Sequence, residues 1–291
     1  MTTLAYYPGC SLKRFARGCE IAGLAAASRL GIDLVELERW NCCGTVFSMS
    51  SGERMHHLGS LRNLVRVQEA GYQEVVTMCA MCQNTLRQVN NAARGDGESL
   101  AIMNRFMDEE PAYRGEVEVL HYLTLLDRLG PAAIAPRVER PLTGLRVAPY
   151  YGCTLVRPQG AGIDDPEDPS LMERLLEVLG AEVVRDPMRV ECCGAYMGVS
   201  KPEAVRVRAR AIHGSARAGA AEALATMCPL CAHNLDAVGP GPDEPGLVVF
   251  YFTQLVALAL GAPPEQCLAA TQRVDPRPLL RAKGLLAEPG R

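Results

Sequence analysis

The chain reads as an α/β protein of two tandem homologous domains, each a mostly parallel sheet flanked by helices, the pair related by pseudo-twofold symmetry. Three observations predict this. Ten of the twelve cysteines form one five-cysteine pattern written twice: Cys10, Cys42, Cys43, Cys79 and Cys82, then Cys153, Cys192, Cys193, Cys228 and Cys231. Matching cysteines are offset by 143, 150, 150, 149 and 149 positions, the mark of an internal duplication. Within each copy, short β-rich runs alternate with longer helical ones, as parallel βαβ units require.

Taken in order, Leu4-Ala5-Tyr6-Tyr7 reads as a strand, followed by a helix from roughly Phe15 to Leu30. Ile32 to Leu37 is a second strand, and a helix is expected from roughly Arg54 to Ala70. Val75-Val76-Thr77 is a third strand, leading into a helix through Thr85-Leu86 to Asn91, and Glu116 to Leu120 is the fourth. The second copy repeats the landmarks. Tyr7-Pro8-Gly9-Cys10 corresponds to Tyr150-Tyr151-Gly152-Cys153, Cys42-Cys43-Gly44 to Cys192-Cys193-Gly194, and Tyr122-Leu123-Thr124 to Tyr251-Phe252-Thr253. Pro131, Pro136, Pro141 and Gly144 punctuate the break. The expected domains are therefore 1–135 and 144–262, with 263–291 a C-terminal tail.

This reading puts every cysteine group just after a strand and just before a helix. That carboxyl edge is where open parallel sheets bind ligands. The free N–H groups of helix starts also favour the negative charge of thiolates, and Pro229 suits a first helical turn.

Composition narrows the function. With 291 residues, 48% hydrophobic and 22% charged, the chain matches a soluble globular protein. A net charge of −3 without a basic tract gives no reason to expect nucleic acid as partner. The N-terminus MTTLAYYPGC lacks the features of a secretory signal, and Val248 to Leu260 is too short for a membrane span. A cytoplasmic location is expected. There, repeated cysteine spacings favour metal or redox chemistry over structural disulfides.

Five thiols per copy exceed the needs of one zinc ion or of a cubane iron–sulfur cluster. Adjacent cysteines on extended backbone point to opposite faces. Cys42 and Cys43 would suit an opened cluster better than one compact cube, with Gly44 easing a turn. Zinc in one or both sites remains an alternative, because Cys79/Cys82 and Cys228/Cys231 have zinc-ligand spacing, although a thiol would be left over. A dithiol exchanger is the third reading, against which the vicinal pairs argue. Cys19 and Cys267 read as packing residues.

These motifs resemble the CCG-domain family, whose best-known member is the B-type subunit of heterodisulfide reductase. The resemblance runs from Tyr7-Pro8-Gly9-Cys10 to Tyr251-Phe252-Thr253-Gln254, through Trp40-Asn41-Cys42-Cys43-Gly44, Glu191-Cys192-Cys193-Gly194 and Cys228-Pro229-Leu230-Cys231. It implies that each quintet holds a non-cubane [4Fe–4S] cluster and that a small disulfide or thiol substrate sits between the two. Some relatives keep only one cluster and place another metal in the second site. Other relatives are subunits of succinate and lactate oxidoreductases, so a noncatalytic electron-relay subunit of such a complex is the rival reading. The chain has no ferredoxin-type cysteine run, no Gly-x-Gly-x-x-Gly and no P-loop, so its electrons must come from another protein. The family implies a ferredoxin-type iron–sulfur subunit, often backed by a flavoprotein.

Among other polar residues, His233 follows Cys231 by two positions and is a candidate proton donor to a leaving thiolate. His121 reads as a helix cap. His56, His57 and His213 lie on charged stretches and are expected to be solvated. Asp164-Asp165-Pro166-Glu167-Asp168 reads as an acidic cap before Leu171.

Overall fold

The computed structural model describes residues 2–47, 54–239, 241, 246–268 and 272–287. In the first copy β1 (Thr2–Tyr6) is followed by α1 (Gly9–Leu12) and α2 (Arg17–Arg29), then β2 (Ile32–Glu36) and α3 (Leu58–Glu69). Next come β3 (Glu74–Thr77), α4 (Ala80–Gly95), α5 (Gly97–Phe106), β4 (Glu118–His121) and α6 (Tyr122–Leu129). The second copy runs β5 (Arg146–Pro149), α7 (Leu171–Val178), β6 (Glu182–Val183), α8 (Pro202–Ala218), β7 (Ala223–Thr226), α9 (Pro229–Ala232), β8 (Val248–Tyr251) and α10 (Phe252–Ala259).

Each copy forms its own four-stranded, all-parallel sheet, ordered β2-β1-β3-β4 and β6-β5-β7-β8. In such an order the chain's winding reverses beside the first strand, between β1 and β3 and again between β5 and β7. Crossovers leave to opposite sides there and open a crevice at the carboxyl ends. The fold class read from sequence therefore holds, and the strand order supplies a reason for the cysteine positions.

Differences of detail have local causes. The helix expected around Thr85 starts earlier, at Ala80, because Cys79 is already its N-cap, with extended φ/ψ. Helix α5 has no counterpart among the expected elements. Asp96 caps it, accepting from Ser99 N–H at 2.9 Å. The vicinal cysteines are not at helix starts: both pairs lie in loops, and Cys153 lies in a turn. The match of Tyr122 to Tyr251 is slipped by one residue. Thr77 pairs with His121 and Thr226 with Tyr251, so His121 and Tyr251 are equivalent caps.

The two copies pack reciprocally, as pseudo-twofold symmetry requires. Helix α2, which follows β1, lies against α10 of the second copy, and its equivalent α7 lies against α6 of the first. All eight residues of α10 are buried, which its apolar character on every side demands. Gly23 lets α2 approach closely, since a Cβ there would meet Met78 Sδ at 2.4 Å and Thr253 Cγ2 at 3.0 Å. Thr253 Oγ1 donates to Cys19 O at 2.9 Å across the boundary. Cys19 and Cys267 are buried packing residues, and burial raises their thiols to about 12 and about 11.

Two histidines expected to be solvated are buried. His213 bridges Leu235 O (2.9 Å) and Leu247 N–H (3.0 Å), while His57 stacks on Phe47 with ring centroids 4.6 Å apart. On α8, Arg210 and Arg217 take the exposed face and His213 the buried one. Asp164 behaves as read: its Oδ2 accepts the N–H groups of Ser170 and Leu171, both at 2.7 Å.

His121 is fully buried, and its Nδ1 accepts the Leu123 N–H at 3.2 Å. Burial pushes its pKa down to about 3, so the folded ring is neutral. The unfolded ring titrates near 6.5. Between those values the unfolded state binds more protons, so this group's contribution is complete above pH ~6.5 and is lost as pH falls toward 3, by about 1.4 kcal/mol per unit. His121→Asn keeps a cap acceptor without the titration. Urea denaturation at pH 7, 6 and 5 is expected to show a shallower pH dependence in the variant than in the parent. Equal slopes would contradict the assignment.

Candidate metal centres

The site is built three times over from strand ends. Cys10 follows β1, Cys42 and Cys43 follow β2, and Cys79 and Cys82 follow β3. The second quintet sits in the same way on β5, β6 and β7. Neighbouring strands are about 4.8 Å apart, so residues far apart in sequence reach one edge side by side.

Three devices fix the loops, and each recurs in both copies. Tyr7 Oη donates to Asn41 O at 2.7 Å, and Tyr150 Oη to Glu191 O at 2.6 Å. Each tyrosine thereby ties the first strand end to the residue before a Cys-Cys pair. Thr77 and Thr226 accept the N–H of Cys79 and Cys228, both at 3.4 Å, and so set the start of each Cys-x2-Cys helix. The third device is a missing side chain. Gly9 (φ 70) would put a Cβ 2.7 Å from Cys82 Sγ, and Gly152 (φ 66) would put one 3.0 Å from Cys231 Sγ. The backbone before the first cysteine must be bare for the last sulfur to approach it.

All ten cysteines are free thiols. In each copy three are buried: the second of the vicinal pair and both of Cys-x2-Cys. The other two lie outside, exposed for Cys10 and Cys42 and half-buried for Cys153 and Cys192. Within each vicinal pair one sulfur is buried and the other lies toward the surface, although in the first copy Cys42 and Cys43 still hydrogen-bond to each other. Cys42 Sγ meets Cys10 Sγ at 3.9 Å, and Cys193 Sγ meets Cys231 Sγ at 3.5 Å. Gly44 and Gly194 turn the chain just after each pair with φ of 68° and 81°.

The sulfurs share protons. Hydrogen bonds from Cys42 and then Cys82 hold the Cys43 thiol down to about 4, and a hydrogen bond from Cys153 holds Cys192 down to about 5. The donors move the other way: Cys42 is raised by Cys43, Cys153 by Cys192, Cys82 by Cys43 and Cys231 by Cys193. Such a cluster carries negative charge readily, and a metal cation would take the place of the shared protons. Among the described residues, no group of three or more His, Cys, Asp or Glu side chains converges as a site for a single ion. Sulfurs in mutual contact, with bare backbone beside them, are a donor set of the kind that metal–sulfur centres use.

The quintets lie at the boundary between the copies. Asn84, two residues after Cys82, donates from Nδ2 to Thr154 O (2.8 Å) and Arg157 O (2.7 Å) in the loop after Cys153. Its counterpart His233, two residues after Cys231, is exposed and places its ring 6.5 Å from that of Phe15, in the loop after Cys10. A cleft of about 620 Å³ opens between the copies beside Asn84, walled by Val46, Phe47, Asn84 and Gln88 of the first copy and by Cys153, Thr154 and Tyr196 of the second. His233 is not among its lining residues. Sequence reasoning missed Asn84, Tyr7 and Tyr150, although the repeated Tyr-x-Gly-Cys was the available signal.

Residues 4–87 and 147–236 match the family described as CCG, cysteine-rich domain. Among curated relatives, the 8-methylmenaquinol:fumarate reductase membrane anchor subunit of Wolinella succinogenes is 29% identical, covering 90% of this chain and 93% of its own. The B-type subunit of the ferredoxin/F(420)H(2)-dependent CoB-CoM heterodisulfide reductase of Methanosarcina acetivorans is 28% identical, covering 91% and 92%. A crystal structure of a hypothetical protein from Helicobacter pylori shares the fold, with a TM-score of 0.75 at 9% identity. It covers 92% of this chain, which spans only 51% of that longer one.

Substituting the bare positions tests the construction. Gly9→Ala and Gly152→Ala each force an alanine into left-handed backbone, at about 1–2 kcal/mol, and crowd a buried sulfur. Denaturant titration is expected to show at least that loss. Parent-like midpoints in both variants would contradict the close approach.

Proposed function

The chain belongs to the CCG cysteine-rich domain family, and from that premise we propose that it is the iron–sulfur subunit of a heterodisulfide-reductase-like oxidoreductase complex. In this reading Cys10, Cys42, Cys43, Cys79 and Cys82 hold one non-cubane [4Fe–4S] cluster, and Cys153, Cys192, Cys193, Cys228 and Cys231 hold the other. The clusters supply single electrons and iron atoms able to bind sulfur. The observation that carries the reading is that both quintets are complete and are held by the same tyrosine, threonine and glycine devices.

The chain's own residues bind and orient the substrate. The cleft beside Cys153 has apolar walls in Val46 and Phe47 and polar ones in Asn84, Gln88 and Thr154, suited to a small disulfide or thiol. His233 stands outside that lining, so proton donation by it would come from the Phe15 side. Electrons enter from a ferredoxin-type subunit with a flavoprotein behind it, docking on the rim that exposes Cys10 and Cys42.

The fumarate reductase relative favours a second reading, an electron relay without substrate chemistry in a quinol-linked complex. No helix among the described residues is long and apolar enough to cross a membrane. The two readings differ in whether a thiol reaches iron. Small thiols added to the reduced and oxidised protein are expected to change its EPR and visible spectra; unchanged spectra would leave the relay.

Metal analysis after anaerobic purification is expected to give about eight irons per chain, four per quintet, with little zinc. One zinc with four irons would show that the copies have diverged in use. Zinc without iron would overturn the assignment.

A further inference from the structure

Three residues after the last cysteine, the two copies differ in residue and in backbone. In the first, α4 runs unbroken and Thr85 Oγ1 donates to Thr45 Oγ1 at 3.3 Å. In the second, α9 gives way after Ala232 to a π-helical turn, His233–Val238. It is closed by Gly239 N–H on Asn234 O, five residues back, at 3.0 Å. Single π turns are rare and gather at functional positions. This one sets Asn234 against the buried vicinal cysteine. Asn234 Nδ2 lies 3.5 Å from Cys193 Sγ and 3.4 Å from Cys193 O, and the residue is 2% exposed. Among the described residues of the first copy, no side-chain amide reaches a quintet sulfur.

Resting on the cluster reading above, we propose that Asn234 is a positioning residue that acts through Cys193 to raise the reduction potential of the second centre and make the two quintets an unequal pair. Reduction adds one electron to the centre and breaks no bond, so the reduced form carries one more negative charge. An N–H donor aimed at a ligand sulfur stabilises that form more than the oxidised one, and hydrogen bonds to the sulfurs are among the main determinants of cluster potential. The donor is buried, so water does not screen it. Arg208 adds to the effect, with its guanidinium Nε 3.1 Å from Cys192 O. Exposure works in the opposite sense. Cys153 and Cys192 are less exposed than Cys10 and Cys42, which by itself disfavours added charge at the second site. The role of Asn234 is therefore read from its removal, not from the ranking of the two potentials.

The experiment is an anaerobic, EPR-monitored redox titration of the full-length protein, its Asn234→Leu variant and, as control, Thr85→Val. The second-site signal is identified by its absence from Cys193→Ser. At the parent's second-site midpoint, Asn234→Leu is expected to show a roughly tenfold lower reduced-to-oxidised ratio, the size of one charge-assisted hydrogen bond. The first-site potential should hold in that variant, and both should hold in Thr85→Val. Full iron with an unmoved second-site potential would overturn the role of Asn234 alone, whereas absence of iron from the parent's second quintet would overturn the cluster reading. Pulsed EPR of the unmutated protein labelled with 15N-asparagine covers the case in which Asn234→Leu loses its cluster. An asparagine-nitrogen coupling to the second-site signal is expected, and its absence would overturn the inference.

Discussion

Sulfur atoms from three separate strand ends can meet only where those ends are held side by side, and the parallel sheet does this in each copy. The order β2-β1-β3-β4 puts the first strand in the middle, so Cys10 stands between the vicinal pair and the Cys-x2-Cys helix. The second sheet repeats the order for Cys153. Much of the surrounding structure serves that convergence. Buried tyrosines tie one strand end to the next loop, threonines fix the helix starts, and a bare glycine lets the last sulfur come within van der Waals reach of the backbone. The thiols contact one another at the edge of the apolar core, to which the six buried ones also belong. Their mutual hydrogen bonds hold Cys43 and Cys192 well below the ordinary thiol range, so protons are shared among the sulfurs.

Duplication then places two such edges together. Reciprocal packing of α2 on α10 and of α7 on α6 turns the copies toward each other, and the positions after each Cys-x2-Cys reach the loop after the other copy's first cysteine. The equivalence is not perfect, and its departures are informative. Asn84 is replaced by His233, so the first copy's position hydrogen-bonds to the loop after Cys153 whereas the second copy's is an exposed imidazole beside Phe15. An unbroken helix is replaced by a π turn. A duplicated scaffold in which each copy holds its own centre can tune the two independently, because most of the residues that support a centre belong to its own copy.

The cysteine spacing made the duplication legible, and with it the α/β class of both copies, because a pattern repeated at nearly constant offset has one simple structural cause. Strand positions followed from β-branched runs such as Val75-Val76-Thr77. Strand order, burial of His57 and His213, and helix α5 did not follow, since each depends on contacts between segments that no local window contains. The one-residue slip between Tyr122 and Tyr251 has the same origin. Strand register, not residue identity, decides which side chain caps the last helix. At the site, Tyr7 and Tyr150 stood in plain view as apolar strand residues, and only their hydroxyl partners revealed them as loop anchors. The π turn had no sequence signal apart from Gly239, which closes it.

The most direct test of two sulfur-rich centres at facing sheet edges is anomalous diffraction at the iron and zinc edges, from crystals of anaerobically prepared protein. The account predicts two separate groups of iron peaks, one beside each quintet, either side of the contact between Asn84 and the loop after Cys153. Iron at only one quintet, or zinc-edge peaks in their place, would contradict it.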